Sequence, residues 1–200
     1  MAVLKSSYGG DMCGQFAVLG SLKAVKDYYN FLSSGDFSFD DQDSFDLDDF
    51  SDVKIPNQSV LPMSFMPIVT YKNKRIIMKK ARWGLVPFWV KDESFAYKTI
   101  NARRETLSEK ASFKYALKER RCLIPFSGYY ERDKNKKLHY FPNEDEKLQS
   151  FAGLYEIWGK DNLTTFTIIT CDADEKVMTI HPRMPVVMNE EEGVEWLSFK

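Results

Sequence analysis

The apolar positions of this chain fall mainly in short runs that are separated by turn-forming residues. Such runs occur in "GQFAVLG", "RCLIPFSGYYER", "KLHYFP", "SFAGLYEIW" and "TFTIITCD", and their length and composition are typical of β-strands. "DKNKK", between the second and third of these runs, is typical of a hairpin turn. "KRIIMKKARWGLVPFW" predicts two strand pieces that are interrupted at Gly84 and Pro87.

Helical periodicity is clearest in "TLSEKASFKYALKER", residues 106–120. Thr106 and Glu109 have the spacing of a capping box, which predicts that the helix begins there. The same pattern predicts one shared helix face, formed by Leu107, Ala111 and Tyr115.

Two further segments are predicted to be helices, an amphipathic one over 21–32 and a short one over 193–200. The chain therefore has many short strands, few helices and no regular alternation of strand and helix. This pattern predicts a single α+β domain with a mostly antiparallel sheet.

Composition narrows the class of protein. At 200 residues and 44% hydrophobic, the chain has the size and composition of one globular domain. No apolar run approaches the roughly 20 residues that span a bilayer, and no secretory signal is apparent. Three irregularly spaced cysteines suit a reducing compartment, and the two histidines have no metal-ligand spacing. We therefore expect a soluble intracellular protein, with no membrane partner, no metal and no cofactor.

Charge is distributed unevenly. Residues 36–52 carry eight aspartates and no basic residue, and they lack the glycine and terminal glutamate of a calcium loop, so they are predicted to be a flexible acidic insertion. Residues 72–137 hold 19 Lys and Arg against 7 Asp and Glu. This middle third either offers a basic surface to a polyanion such as nucleic acid or simply spreads lysines over solvated faces.

Four short segments carry residues suited to chemistry. Cys13 lies in "GDMCGQF", Asn101 and Arg103 lie in "INARRET", Glu131 ends "IPFSGYYE", and His181 lies in "IHPRMP". A thiol is a nucleophile, an amide orients, and a carboxyl in an aromatic setting has a raised pKa that suits proton transfer. Each also has a purely structural interpretation: a buried cysteine, an exposed loop, a surface glutamate and a structural histidine.

The order of the motifs is more specific than any one of them. M-C-G-x-F, W-G-L-x-P-x-W, N-A-R-x-E-T, R-C-L-I-P-x-x-G-Y-Y-E, A-G-L-x-E-x-W, T-x-I-T and I-H-x-R-M-P follow one another between Met12 and Trp196. This series resembles the SOS response-associated peptidase (SRAP) family, the abasic-site processing proteins. The resemblance implies an α+β domain over 12–200 with a barrel-like, mostly antiparallel core and a few flanking helices.

The resemblance also implies a chemistry. Family members expose a cysteine as the mature N-terminus, and its α-amine and thiol form a thiazolidine with an abasic site in single-stranded DNA. The nucleophile corresponds to Cys13, and its assisting residues to Asn101, Glu131 and His181. Thiol peptidase activity on protein and reversible binding of single-stranded DNA remain the alternatives.

Other residues are expected to bind DNA. Arg103, Lys114 and Arg82 would hold phosphates flanking the lesion, and Trp83 and Trp89 would stack on unpaired bases. For Trp83, packing in the core is favoured over stacking on a base. The protein is accordingly expected in the bacterial cytoplasm at the nucleoid, or in a eukaryotic nucleus.

Some features depart from the family pattern. Twelve residues precede Cys13, so we expect either translation from Met12 or removal of a leader, 1–12. Gln15 stands where the family usually has arginine, which removes one cation beside the nucleophile. The acidic insertion is unusual, and the sequence stops soon after Trp196.

Overall fold

The computed structural model describes most of the chain from Cys13 onward, namely residues 13–29, 32, 38–39, 59–72, 75–144 and 147–198. The leader 1–12 lies outside the described residues, as does the acidic segment 36–52 apart from Ser38 and Phe39. The expectations for both segments therefore stay predictions.

The described residues form twelve strands and four α-helices. The strands are β1 (Gln15–Ala17), β2 (Ser38–Phe39), β3 (Phe65–Lys72), β4 (Arg75–Trp83), β5 (Asn101–Arg103), β6 (Arg121–Phe126), β7 (Gly128–Arg132), β8 (Leu138–Pro142), β9 (Gln149–Trp158), β10 (Leu163–Asp172), β11 (Arg183–Pro185) and β12 (Val187–Met188). The helices are α1 (Leu22–Tyr28), α2 (Ala111–Glu119), α3 (Glu175–Met178) and α4 (Glu190–Ser198), and 3₁₀ turns occupy Glu93–Lys98 and Arg104–Thr106.

Five strands close into a barrel in the order β4, β3, β6, β9 and β10, because β10 pairs back onto β4. Within this ring β10 and β4 run parallel, and every other neighbouring pair is antiparallel. Closure leaves no free strand edge on the ring. The prediction of one α+β domain with a mostly antiparallel, barrel-like sheet is confirmed.

A second, three-stranded antiparallel sheet contains β1, β7 and β8. Its middle strand, β7, continues directly from barrel strand β6 through Ser127, whose hydroxyl accepts a hydrogen bond from the Leu19 N–H at 2.9 Å. The Ser127 N–H donates to Ala17 at 2.8 Å. The chain on either side of β1 is thereby fastened to the barrel. The turn predicted at 133–137 joins β7 to β8 and is confirmed.

Aromatic side chains fill the core. Phe16 lies edge-on to Trp83, with ring centroids 5.1 Å apart, and Phe126 stacks on Phe151. Trp83 is fully buried, and its indole N–H donates to the Ile100 carbonyl at 2.8 Å. β1 is therefore fixed both by strand pairing and by burial of Phe16.

The predicted helix over 106–120 begins later than expected. A separate 3₁₀ turn ends at Thr106, and α2 starts only at Ala111, after Lys110, which makes no side-chain cap. The capping-box prediction was wrong because Leu107 is drawn into the core and the chain turns there. The helix buries Phe113 and Ala116, not the predicted face.

The other helices agree better with the sequence. α1 falls within the predicted segment, and the Ser21 hydroxyl caps it by accepting from the Ala24 N–H. α4 begins before the predicted segment because Asn189 and Glu192 exchange side-chain to backbone hydrogen bonds, both at 2.9 Å, as a capping box. None of the helices in the described part of the chain has the length and apolar character that crossing a bilayer requires.

The segment predicted as two strand pieces forms one strand, β4, which ends at Trp83. Gly84 follows with φ of 121°, a left-handed conformation in which an added Cβ would also meet the Ala96 backbone at 3.0 Å. The chain then leaves the sheet as a loop of residues 84–90, which we name the aromatic loop.

Candidate functional site

Cys13 lies immediately before β1 and is completely buried. Its thiol donates to the Gln15 carbonyl at 3.6 Å. Burial, with a smaller effect from Glu131, raises the pKa of this thiol well above its ordinary value. Because β1 pairs with β7 and Phe16 is anchored in the core, the backbone of Cys13 has a defined position.

Asn101 is the first residue of β5, which pairs with β10 on the wall of the barrel. Its side-chain NH₂ donates to the carbonyl oxygen of Cys13 at 2.7 Å. The other polar atom of the side chain, Oδ1, is buried and has no hydrogen-bond partner within the described part of the chain. Asn101 therefore holds one end of the Cys13 residue and keeps an acceptor available.

Glu131 lies on β7 and is 3% exposed. Its carboxylate accepts hydrogen bonds from the backbone N–H groups of Arg132 and Cys13. Burial outweighs these bonds and raises the pKa of Glu131 to about 8. The side chain holds the nitrogen of Cys13 and, at neutral pH, exchanges protons readily.

His181 follows α3, and its N–H donates to the Val177 carbonyl at 2.9 Å, which sets the loop that leads into β11. The ring atom Nδ1 lies 3.1 Å from the Arg183 nitrogen and 3.0 Å from the Arg183 oxygen. The same atom is 3.9 Å from Oε2 of Glu131, so the two side chains are neighbours.

The three residues share an uncommon feature. Asn101 Oδ1, Glu131 Oε1 and His181 Nε2 are all buried polar atoms that have no hydrogen-bond partner among the residues that the structure describes. Buried polar atoms in folded proteins are nearly always paired, so these three atoms leave hydrogen-bonding capacity that a ligand or water could use. The structure thus brings together all four predicted catalytic residues, around the backbone of Cys13.

The predicted DNA-binding residues divide into two groups. Arg103 and Lys114 are exposed, and Trp89 is 51% exposed in the aromatic loop, so all three face solvent. Arg82 is largely buried and forms an ion pair with Glu93. The expectation that Trp83 stacks on a base is wrong, because its ring is fully buried in the core.

Sequence reasoning missed an ion-pair network beside the site. The Arg183 guanidinium binds both carboxylate oxygens of Glu105, at 3.0 and 2.9 Å, and Oδ1 of Asp172 at 2.6 Å. It connects the chain after β5, which carries Asn101, to the loop that carries His181. The sequence contained a signal for this ion pair, because Glu105 is the glutamate of N-A-R-x-E-T and Arg183 is the arginine of I-H-x-R-M-P.

Gln15 contacts the chain that follows the acidic insertion. Its side-chain NH₂ donates to the Ser59 hydroxyl at 2.9 Å, and Phe16 pairs with Val60 beside it. This contact fastens the chain that follows the acidic insertion next to β1.

In the part of the chain that the structure describes, no three His, Cys, Asp or Glu side chains come together as metal ligands.

Comparison with known proteins agrees with the motif series. The family model described as SOS response associated peptidase (SRAP) matches residues 12–200. The abasic site processing protein YoqW of Bacillus subtilis is 37% identical over 199 residues, covering 94% of this chain and 81% of that protein. The abasic site processing protein HMCES of Gallus gallus is 36% identical over 157 residues, covering 64% of this chain and 46% of that protein.

The fold has a solved counterpart. The crystal structure of a protein from Bacteroides thetaiotaomicron superposes with a TM-score of 0.77 at 28% identity. The alignment covers 93% of this chain and 81% of that one. The barrel with its attached three-stranded sheet is therefore an architecture that occurs in other organisms.

Proposed function

The chain belongs to the SOS response-associated peptidase (SRAP) family, and from this premise we propose that it captures abasic sites in single-stranded DNA covalently through Cys13. The observation that carries the proposal is the pair of contacts on Cys13. Asn101 donates to its carbonyl oxygen at 2.7 Å, and Glu131 accepts from its nitrogen. Relatives named abasic site processing proteins support the choice of substrate.

The proposed reaction uses both reactive groups of an N-terminal cysteine. The α-amine nitrogen attacks the aldehyde carbon of the ring-opened abasic sugar, and loss of the aldehyde oxygen as water leaves an imine. The thiol sulfur then adds to the imine carbon while its proton moves to the nitrogen, which closes a five-membered thiazolidine ring. An α-amine has an ordinary pKa near ~8, against ~10.4 for lysine, so much more of it is uncharged at neutral pH.

The residues around Cys13 have distinct roles in this scheme. Glu131 takes the proton from the α-ammonium and returns one to the departing hydroxyl, for which a pKa near neutrality is suited. His181, 3.9 Å from Glu131, supplies the proton transfers that open the sugar ring. Asn101 orients the cysteine so that its amine faces Glu131.

The scheme requires Cys13 to be the N-terminal residue. We propose that this arises by translation from Met12 followed by removal of that methionine, or by self-removal of residues 1–12. In self-removal, water adds to the Met12 carbonyl carbon and the bond from that carbon to the Cys13 nitrogen breaks. The nitrogen held by Glu131 is the leaving group, and Glu131 is the group that protonates it. If residues 1–12 are removed in this way, the same site acts first as a peptidase on its own chain and afterwards on DNA.

DNA is proposed to lie across the exposed side chains beside the site. Arg103 and Lys114 would neutralise phosphates of the flanking strand, and Trp89 would stack on an unpaired base. Arg82 would contribute only if its ion pair with Glu93 opened, so we expect its effect on affinity to be smaller.

The test is a denaturing gel of protein incubated with a single-stranded oligonucleotide that holds one abasic site. Three proteins are compared: a chain beginning at Cys13, the full chain, and a Cys13→Ala variant of the shorter chain. We expect a heat-stable shifted band from the chain that begins at Cys13 and none from the Cys13→Ala variant. A shifted band from the full chain, together with loss of its first twelve residues in the mass spectrum, indicates self-processing.

A Cys13→Ser variant of the shorter chain separates the two chemical steps. It keeps the amine and lacks the thiol, so we expect a band only after borohydride reduction of the imine. If the chain beginning at Cys13 gives no band with or without reduction, covalent capture is excluded. Peptide cleavage or reversible binding of single-stranded DNA then becomes the function to pursue.

A further inference from the structure

We propose that Glu156 is a positioning residue, which holds the aromatic loop (residues 84–90) in the form that presents Trp89 to unpaired bases. The inference deepens the proposed function, because it concerns how the flanking strand is held beside the site. It rests on contacts that lie outside the group formed by Cys13, Asn101, Glu131 and His181.

Two side chains of β9 hold the far end of the loop. Glu156 is 2% exposed, and its Oε2 accepts a hydrogen bond from the Phe88 N–H at 3.3 Å. Trp158 lies on the same face of the strand, two residues further on, and its indole N–H donates to the Val90 carbonyl at 2.6 Å. The two contacts fall on either side of Trp89 and limit how its backbone moves.

The charge of Glu156 is balanced from a different element. Its Oε1 accepts from Arg120, at the end of α2, at 2.7 Å. A buried ion pair is costly to desolvate and often adds little net stability. A carboxylate at this position therefore serves better to fix the loop and α2 relative to each other than to stabilise the barrel.

The ion pair supports an exposed aromatic surface. The Arg120 guanidinium lies 5.1 Å from the centre of the Tyr115 ring, and Tyr115 meets Phe88 edge-on at 5.5 Å. Phe88, Trp89 and Tyr115 are 57%, 51% and 46% exposed. Neighbouring exposed rings are the surface on which single-stranded bases stack, whatever their sequence.

The near end of the loop is held separately, on the side of the capture site. The Leu85 N–H donates to the Thr99 carbonyl at 3.3 Å, and the Thr99 hydroxyl donates to the Leu85 carbonyl at 2.5 Å. Asn101 follows two residues later. Releasing the far end should therefore weaken DNA binding while leaving the chemistry at Cys13 nearly unchanged.

The main test is a double-mutant cycle. Affinity for an undamaged single-stranded oligonucleotide is measured by fluorescence anisotropy in the full chain carrying Cys13→Ala, so that binding is reversible. We expect Glu156→Leu and Trp89→Ala each to weaken binding by about tenfold. The double variant should bind no more than about twofold more weakly than Trp89→Ala alone. Multiplying effects, or no effect of Glu156→Leu, would overturn the proposal.

Conservative variants separate positioning from general destabilisation. Glu156→Gln keeps an oxygen that accepts from Phe88, so it should restore about half or more of the lost affinity on a logarithmic scale. Trp158→Phe removes only the indole N–H and should weaken binding without adding to Trp89→Ala. Thr167→Val is the matched control, since Thr167 is buried on β10 and its hydroxyl makes no hydrogen bond to any residue that the structure describes. The affinity of this variant for the oligonucleotide should equal that of the parent.

A second measurement does not depend on DNA. Amide hydrogen exchange at Phe88 should accelerate at least about tenfold in Glu156→Leu and stay unchanged in Thr167→Val. If the oligonucleotide binds none of the proteins, the DNA-binding part of the proposed function fails, and exchange at Phe88 still decides whether Glu156 holds the loop. Unchanged exchange would overturn the inference even if abasic DNA is captured.

The rate of capture at saturating oligonucleotide, measured in chains beginning at Cys13, should differ by less than about twofold between Glu156→Leu and its parent.

Discussion

At the scale of single residues, both backbone groups of Cys13 are bound by side chains from separate strands. Asn101 comes from β5 and Glu131 from β7, so the cysteine is aligned by the meeting of the barrel with the smaller sheet. A residue held in this way loses little further freedom when it reacts, which is the usual advantage of a preorganised nucleophile.

We expect Asn101→Ala to slow covalent capture at least about tenfold and to lower the free energy of unfolding by about 1–2 kcal/mol, because the Cys13 carbonyl loses its donor. Capture is measured by quenched gel assays on chains that begin at Cys13, and stability by denaturant unfolding. Asn143→Ala is the control, since Asn143 likewise donates to a backbone carbonyl, that of Phe126, at 2.9 Å. Equal capture rates for both variants would contradict the role given to Asn101.

Glu131 makes stability depend on pH. Burial raises the pKa of Glu131 to about 8 in the folded state, so folding favours the protonated form. The resulting contribution of Glu131 to the free energy of unfolding is fully present below the ordinary pKa of a glutamate and is lost as the pH rises through 8. We expect the full chain to lose more unfolding free energy between pH 5 and pH 9 than Glu131→Gln, by up to about 1.4 kcal/mol per unit of pKa shift. Denaturant unfolding at both pH values measures this.

Glu119→Gln is the control for that experiment, because Glu119 is exposed on α2. It should lose as much stability between the two pH values as the parent chain does. If Glu131→Gln also follows the parent, Glu131 is ionised in the folded protein at neutral pH, and its assignment as a proton donor is wrong.

At the scale of elements, β9 and β10 organise the surroundings of the site. β10 pairs with β4, β5, β9 and β11, and through β5 and β11 it brings the segments of Asn101 and His181 to the same region. β9 carries Glu156 and Trp158, which bind the aromatic loop. Two long neighbouring strands therefore position both the capture site and the proposed base-stacking surface.

Close packing in β9 is tested at Gly153. An added Cβ would lie 2.8 Å from the Thr167 backbone oxygen and 3.0 Å from the Cys122 sulfur, both inside the barrel wall. We expect Gly153→Ala to lower the free energy of unfolding by about 2–3 kcal/mol, because a backbone atom in a closed sheet has little room to move. Denaturant unfolding measures the change.

Gly159→Ala provides the comparison at the end of the same strand. Its added Cβ would meet no atom within 4 Å among the described residues other than its chain neighbours, although the φ of 73° is strained for alanine. We expect a loss of about 1 kcal/mol there. If Gly153→Ala is as stable as Gly159→Ala, the barrel wall is less tightly packed at this point than the structure shows.

At the scale of the whole molecule, opposite charges occupy different segments of the chain. The eight aspartates of residues 36–52 offset part of the excess of lysine and arginine in residues 72–137, and the acidic excess of residues 138–200 brings the net charge of the protein to −1. Net charge therefore says little about binding to DNA. The local distribution of cations around the aromatic loop and β5 determines the electrostatic attraction.

Salt dependence measures that attraction. For single-stranded DNA, the slope of log affinity against log salt concentration changes by about 0.7 for each phosphate contact. We expect Arg103→Gln and Lys114→Gln, in the full chain carrying Cys13→Ala, each to reduce the slope by about this amount. Lys23→Gln, on the exposed side of α1, should leave it unchanged. Identical slopes for all variants would remove Arg103 and Lys114 from the DNA interface.

The sequence by itself determined the α+β class, the antiparallel sheet, the turn at 133–137 and the four residues of the candidate site. These are readable because strand patterns, turn residues and ordered motifs are local properties of a chain. Only the tertiary structure decided that Trp83 is buried, that α2 starts at Ala111, and that Glu131 is buried deeply enough to have the raised pKa that its aromatic setting predicted. Burial and electrostatics depend on which distant segments pack together, and so does the contact of Glu156 with the aromatic loop, 68 residues away in the chain.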